Sequence, residues 1–155
     1  MPEAENPCPA RILVLDDEEP LRRMLKEILE LKGYACETAS TVEEALALWS
    51  QEMSGPAPFR LALTDLTLGD GLGGVDFAKA LRKLDPSARL IACTGDSSHP
   101  VFSDPGQFRM DGTLTKPFLF GELLETLTRV LDGNRERSFR DSVVQRGLPM
   151  RNSSR

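Results

Sequence analysis

The chain has 155 residues, of which 40% are hydrophobic and 28% charged, and its formal net charge is −5 at pH 7. That length suits one domain with one core, and no apolar run approaches the roughly 18 residues that span a membrane. The N-terminus is polar, unlike a signal peptide, and the three cysteines, Cys8, Cys36 and Cys93, show no CxxC spacing. We therefore expect a cytoplasmic protein with buried thiols and with neither a disulfide framework nor a zinc site.

The charge is unevenly distributed along the chain. Residues 134–155 contain six arginines against Glu136 and Asp141, so this segment carries +4 and the rest of the chain −9. An acidic body argues against nucleic acid as the main partner, because phosphate binding needs a basic surface. We expect a flexible N-terminus over residues 1–10, a folded domain over 11–132 and a basic tail or linker over 133–155, disordered by its composition.

Short apolar strands alternate with amphipathic helices in the first half of the chain. RILVLD at 11–16 predicts a strand buried on both faces. The helix after it has Pro20 in its first turn and an apolar pattern that stops at Gly33. YACETA predicts a second strand, and Thr41 then caps a second helix, with Glu44 at the spacing of a capping box. The apolar stripes of the two helices are Leu21, Met24, Leu25, Ile28, Leu29 and Leu31, and Ala45, Leu46, Leu48 and Trp49.

The alternation continues to the end of the predicted domain. FRLALTD is a third strand after GPAP, and GGVDFAKALRKL a third helix that ends at Asp85-Pro86. ARLIACTG is a fourth strand, GTLTKP a short fifth, and FLFGELLETLTRVLDG a final helix ending at Gly133. In the connection before the fifth strand, Pro100 and Pro105 leave room only for a short or irregular helix. The pattern predicts an α/β fold, a parallel sheet with helices on both faces.

Polar side chains stand where the predicted strands end: Asp16, Asp17 and Glu18 after the first, Asp65 after the third, Thr94 after the fourth and Lys116 after the fifth. In a parallel sheet these ends face one crevice. Clustered carboxylates repel one another unless a cation neutralises them, and Mg²⁺ prefers oxygen ligands completed by a phosphate. An ionised aspartate can attack phosphorus and form an acyl phosphate, which makes Asp65 the candidate nucleophile. Lys116 would steady a phosphoryl oxygen, and Thr94 would donate a hydroxyl.

These residues resemble those of a receiver domain of two-component response regulators. VLDDEEP, LTDLTL, CTG and TKPF stand in family order at family-like spacing, within about residues 11 to 132. The resemblance implies a flavodoxin-like doubly wound sheet of five parallel strands in the order 2-1-3-4-5. It also implies a signalling domain that takes a phosphoryl group from a sensor histidine kinase or phosphotransfer protein and loses it by slow hydrolysis.

The resemblance assigns a role to each of the strand-end residues. Asp65 resembles the phosphoacceptor, Asp17 a direct Mg²⁺ ligand, and Asp16 a ligand acting through water, while the backbone carbonyl of Thr67 would complete the protein ligands. Thr94 resembles the switch hydroxyl and Lys116 the lysine that contacts the phosphoryl group. Thr67 and Asp96 resemble the two positions that tune the lifetime of the acyl phosphate.

Two positions depart from the family pattern. Thr113, three residues before the lysine, replaces the aromatic ring that swings inward on phosphorylation. We expect Thr94 still to move and the output face to change through loop and backbone shifts around residues 95–108. Gly69 replaces the usual proline in the loop after Asp65. The segment that holds Pro100 is similar to those of receivers attached to hybrid sensor kinases.

Other functions are weighed against this one. An aspartate-nucleophile phosphatase of the haloacid dehalogenase type needs a second aspartate where Thr67 stands. A flavodoxin-like cofactor binder needs a phosphate-cradling loop after the first strand, but Asp16, Asp17 and Glu18 there would repel the phosphate. A receiver-like interaction module without phosphotransfer stays open, as do the kinase, the target and the oligomeric state. Of the remaining residues, His99 is expected to be solvated and Trp49 to lie in the core.

Overall fold

Five parallel strands form one sheet in the computed structural model, whose described residues are 10–68, 73–95, 98–102, 104 and 108–132. The strands are β1 (Arg11–Leu15), β2 (Ala35–Ala39), β3 (Phe59–Asp65), β4 (Arg89–Thr94) and β5 (Gly112–Thr115). They lie in the order β2-β1-β3-β4-β5, and every neighbouring pair is parallel. This confirms the predicted flavodoxin-like order. The order reverses between β1 and β3, which is where folds of this kind open a crevice for ligands.

In the described part of the chain, four α-helices pack on the two faces of this sheet: α1 (Glu19–Leu31), α2 (Val42–Glu52), α3 (Gly74–Leu84) and α4 (Phe120–Leu131). The central strand β3 shows why both faces are apolar, because successive side chains of a strand point to opposite faces. Ala62 belongs to the core cluster that contains Phe77 of α3. Leu61 and Leu63 belong to the opposite cluster, together with Leu123 of α4. Burial of one such leucine side chain contributes about 1.5–3 kcal/mol to folding.

The second helix begins where the sequence predicts. The Thr41 hydroxyl accepts a hydrogen bond of 3.1 Å from the Glu44 N–H, which satisfies one of the free donors of the first turn. The Glu44 carboxylate in turn accepts hydrogen bonds from the N–H and the hydroxyl of Ser40. The capping interaction therefore reaches one residue further back than the capping-box spacing implies.

The apolar stripe of α1 is narrower than predicted. Leu25 and Leu29 are buried, but Met24 is 39% exposed and Leu31 83% exposed. Because a helix turns by about 100° per residue, Leu31 lies far around the helix from Leu29 and faces away from the sheet.

The last helix also stops early: α4 ends at Leu131, and the predicted end, Gly133, lies outside the described residues.

The connection between β4 and β5 contains a 3-10 helix at Pro100–Phe102, in agreement with the short helix predicted there. The expectation for His99 is wrong, because its ring is half-buried and packs edge-on against Phe108 with ring centroids 5.5 Å apart. Its Nδ1 also accepts a hydrogen bond from the Val101 N–H. Trp49 is fully buried, as expected.

Two further expectations concern thiols and membranes. Cys36 and Cys93 are free and buried, which confirms the prediction for these two residues, whereas Cys8 lies outside the described residues. Within the described ranges, none of the helices combines the length and apolarity that a membrane crossing requires.

Candidate functional site

The carboxyl ends of β1, β3, β4 and β5 meet at one open cleft. β3 and β4 end almost level, with Asp65 paired to Cys93, and β4 and β5 end level with Thr94 paired to Thr115. The register thus brings residues that are far apart in the chain to the same edge. The cleft has a volume of about 490 Å³, and its lining includes Asp17, Asp65, Thr67, Thr94 and Lys116.

One lysine connects two of the strand ends. The Lys116 Nζ lies 2.8 Å from Asp16 Oδ2 and 3.1 Å from Asp65 Oδ2. Both aspartates are buried, with 3% and 6% of their surfaces exposed. Burial alone would lower the pKa of Lys116, but its hydrogen bond to Asp16 and the charges of both carboxylates raise that pKa above its ordinary value. The lysine therefore stays charged and links the two carboxylates.

The Asp65 side chain is fixed by its own turn. Its Oδ1 accepts a hydrogen bond of 3.0 Å from the Thr67 N–H, while its Oδ2 faces Lys116. Burial raises the pKa of Asp65, although the Thr67 N–H and the lysine oppose the shift. Ionising Asp65 in this cleft therefore costs free energy, and a nearby cation would offset that cost.

The Asp16 side chain is held from the other side of the cleft. Its Oδ1 accepts a bond of 2.9 Å from the Glu18 N–H, just before α1 begins. Its backbone carbonyl accepts a bond of 2.8 Å from the Arg22 guanidinium on the first turn of α1. The start of α1 therefore fixes both the backbone and the carboxylate of Asp16, a role for Arg22 that no motif in the sequence indicates.

Three carboxylates at this edge have the chemistry of a cation site. Oxygen atoms of Asp16, Asp17 and Asp65 lie within 4.8 Å of one another, and Asp17 is exposed to solvent. Oxygen-only donors suit a hard divalent cation, and the exposed side leaves room for the waters that such an ion keeps. The residues present therefore fit the cation that the sequence leads us to expect.

The structure brings most of the predicted site residues together and places one of them, Thr113, away from the cleft. Thr113 lies on β5, half-buried, in a groove that it shares with Glu122 and Glu125 of α4. Asp96 and Gly69 lie outside the described residues. Sequence reasoning also missed Gly74, the first residue of α3, which packs against the backbone of Asp65. The only signal for it was the pair of glycines that opens the third helix.

A comparison across protein families agrees with the fold. Residues 12–128 match the family model of the response regulator receiver domain. The chain belongs to this family. Among solved structures, this receiver domain is similar to the CheY-like response regulator receiver domain protein from Methanospirillum hungatei JF-1, with 31% identity and a TM-score of 0.72. That match covers 83% of this chain and 98% of the other.

A second solved structure is TrrA from Thermotoga maritima in complex with Mg²⁺-BeF. It is 33% identical to this receiver domain with a TM-score of 0.67, and the match covers 78% of this chain and 98% of TrrA.

Curated relatives differ in how much of their length this receiver domain covers. The photosynthetic apparatus regulatory protein RegA of Cereibacter sphaeroides is 34% identical over 84 residues, which are 54% of this chain and 42% of RegA. The response regulator receiver protein CpdR of Brucella abortus is 27% identical over 121 residues, 78% of this chain and 96% of CpdR. The chain thus spans less than half of the first relative but nearly all of the second. Family membership establishes a signalling domain of response regulators and leaves its output to be tested.

Proposed function

We propose that this receiver domain accepts a phosphoryl group on Asp65 from a phosphohistidine of a sensor histidine kinase or a phosphotransfer protein. The observation that carries the proposal is the position of the Lys116 Nζ, 2.8 Å from Asp16 and 3.1 Å from Asp65. One fixed cation thereby stands beside both the proposed nucleophile and a proposed metal ligand. Preorganised charge of this kind stabilises the negative charge that develops on a transferring phosphoryl group.

The proposed reaction is a single displacement at phosphorus. An Asp65 carboxylate oxygen attacks the phosphorus, the bond from phosphorus to the histidine nitrogen breaks, and the released imidazole takes a proton from solvent. Lys116 then contacts a phosphoryl oxygen, and the Thr94 hydroxyl donates to another. Water later attacks the acyl phosphate, which returns inorganic phosphate and the free carboxylate.

We assign Mg²⁺ to the cluster of carboxylates. The ligands would be the carboxylates of Asp17 and Asp65 and the carbonyl of Thr67, with Asp16 acting through water. The cluster contains three carboxylates and one lysine, Lys116, that bonds two of them, which leaves a charge of −2 that one divalent ion balances. When bound, Mg²⁺ supplies charge neutralisation to the transferring oxygens.

The signal would leave the cleft without a rotating aromatic ring. Thr113 is half-buried on β5, and its side chain is too small to report the state of the cleft as a ring would. Thr94 is buried at the end of β4, directly before the segment that leads to the 3-10 helix. We expect movement of Thr94 to be transmitted through the backbone around residues 95–108 to an unidentified target.

Intact mass spectrometry after incubation with acetyl phosphate tests the proposed function. The wild type should gain the mass of one phosphoryl group when Mg²⁺ is present, and it should form no adduct when a chelator has removed the metal before acetyl phosphate is added. Asp65→Asn, which keeps the size of the side chain, should gain nothing. No adduct on the wild type would contradict the proposal and favour an interaction module without phosphotransfer. Rapid multiple turnover of phosphate esters would instead indicate a phosphatase.

A further inference from the structure

Gly74 stands where the start of α3 meets the end of β3. It is buried, and a Cβ atom added to it would lie 2.3 Å from the Asp65 carbonyl oxygen and 2.8 Å from the Leu66 Cα. Both are backbone atoms, which cannot rotate away as the end of a flexible side chain can. The φ of Gly74 lies outside the left-handed region, so close approach rather than backbone conformation requires glycine here.

The segment that Gly74 touches also sets the direction of the Asp65 carboxylate. Leu66 donates a hydrogen bond of 2.9 Å to the Cys93 carbonyl of β4 and accepts one of 3.4 Å from the Gly74 N–H. The next residue, Thr67, donates its N–H to Asp65 Oδ1. Residues 65–67 are therefore held between β4 on one side and α3 on the other. A displacement at Leu66 would move both the Thr67 N–H and the Thr67 carbonyl.

Other glycines of the described residues do not face this restriction. A Cβ at Gly73 would lie 3.4 Å from the Leu66 carbonyl oxygen, an ordinary contact, and one at Gly121 would meet no atom within 4 Å. At Gly112 the near atoms, at 3.1 Å, belong to side chains of α4. Among the described glycines, Gly74 is the one at which a Cβ would lie closer than 3 Å to backbone atoms.

We propose that Gly74 is a positioning residue for the phosphoacceptor, and that its missing side chain sets the geometry of Asp65 and of the Thr67 carbonyl. The inference rests on the proposed function of Asp65. A side chain at position 74 would push residues 65–67 away from α3 and misalign the carboxylate with Lys116. Misplacement by about 1 Å can slow a positioned reaction roughly a hundred-fold.

Two readouts on Gly74→Ala test this proposal. In the metal-free protein, the amide resonances of residues 65–67 should shift more than those of any segment outside α3, and Mg²⁺ should bind more weakly. With acetyl phosphate and saturating Mg²⁺, the adduct should form about ten- to a hundred-fold more slowly. Gly121→Ala should match the wild type in both readouts. Ala78→Gly, which lowers the stability of α3 by removing a side chain instead of adding one, should form the adduct at the wild-type rate.

Unchanged amide shifts at residues 65–67 in Gly74→Ala would overturn the proposal, and so would an equal loss of rate in Ala78→Gly. If the wild type forms no adduct, the proposed function fails, while the amide shifts and the Mg²⁺ titration still decide the role of Gly74. If Gly74→Ala does not fold, Leu66→Gly is made alone and together with Gly74→Ala, because glycine at 66 gives the backbone freedom to yield. The amide resonance of Thr67 should then differ between Leu66→Gly and the double variant. Identical Thr67 resonances in these two proteins would contradict the proposal.

Discussion

The Lys116 ammonium lies 3.1 Å from Asp65 Oδ2, although 51 residues separate the two in the chain. It bonds Asp16 as well, so one positive charge compensates two buried carboxylates. Removing that charge would leave both carboxylates without their cation. We therefore expect the stability of the domain and its affinity for a divalent ion to be coupled at this residue.

Lys116→Met tests that coupling. The variant should lose about 1–3 kcal/mol of unfolding free energy without metal, the cost of leaving a buried polar group without its partner. Mg²⁺ should then stabilise the variant more than it stabilises the wild type, because the ion replaces the lost charge. Urea unfolding with and without Mg²⁺ measures both effects, and Lys79→Met, at an exposed position of α3, is the matched control. Equal Mg²⁺ stabilisation of variant and wild type would contradict the coupling.

The buried thiol of Cys36 predicts a loss of stability in alkali. Burial raises its pKa from 9.0 to about 12, although the charge of Lys26 opposes the shift. Above pH 9 the thiol ionises in the unfolded chain but stays protonated in the fold, so the unfolded state gains stability as pH rises toward 12. At pH 10.5 the unfolding free energy of the domain should be lower by about 2 kcal/mol from this thiol alone, because each pH unit above the unfolded pKa costs about 1.4 kcal/mol.

Urea unfolding of wild type and Cys36→Ala between pH 8 and pH 10.5 measures the contribution of the Cys36 thiol. At pH 8 the alanine variant is expected to have the lower unfolding free energy, since it loses packing. The difference in unfolding free energy between the two proteins should shrink as pH rises. A gap that stays constant over this range would show that the Cys36 thiol does not titrate as proposed.

Much of the cleft was predictable from the sequence because it depends on strand ends. β1, β3 and β4 each stop within two residues of the end of an apolar run, and Lys116 directly follows the short β5, so Asp65 and Lys116 could be placed at one edge before any contact was known. Thr41 was predictable for a similar reason, because a helix cap involves only near neighbours in the chain.

Contacts between distant segments were not predictable in the same way. Nothing in the sequence places Gly74 against the Asp65 backbone or Arg22 on the Asp16 carbonyl, since both contacts depend on how helices settle against the sheet. The expectation for His99 was wrong for the same reason. A lone histidine in a proline-bearing segment gave no sign of the Phe108 ring that packs on it. The exposure of Leu31 likewise followed from the rotation of α1 about its axis.

A phosphoryl mimic tests the proposed route of the signal. Beryllium fluoride with Mg²⁺ should shift amide resonances at the cleft and also through the segment 95–108, because Thr94 leads directly into it. Thr113→Ala should leave this pattern intact, since no ring rotation takes part, whereas Thr94→Ala should reduce the shifts beyond the cleft. Changes confined to residues that line the cleft would rule out transmission by this route.

Asp96 should affect how long the phosphoryl group stays on the domain. It lies two residues past Thr94, outside the described residues, and resembles the position that governs the approach of water to the acyl phosphate. Asp96→Ala is expected to change the rate of dephosphorylation several-fold and the rate of phosphorylation much less. Decay of the adduct after removal of acetyl phosphate, followed by intact mass, gives the first rate. Equal effects on both rates would refute the assignment.

The central claim is that Asp65 carries the phosphoryl group, and chemical trapping locates that group directly. Borohydride reduces an aspartyl phosphate to homoserine, so the acetyl phosphate product should contain homoserine at position 65 when its peptides are sequenced by tandem mass spectrometry. Samples without Mg²⁺ should contain none. Homoserine at position 65 that depends on both Mg²⁺ and acetyl phosphate is the predicted result. Its absence, or its appearance at Asp16 or Asp17 instead, would contradict the account.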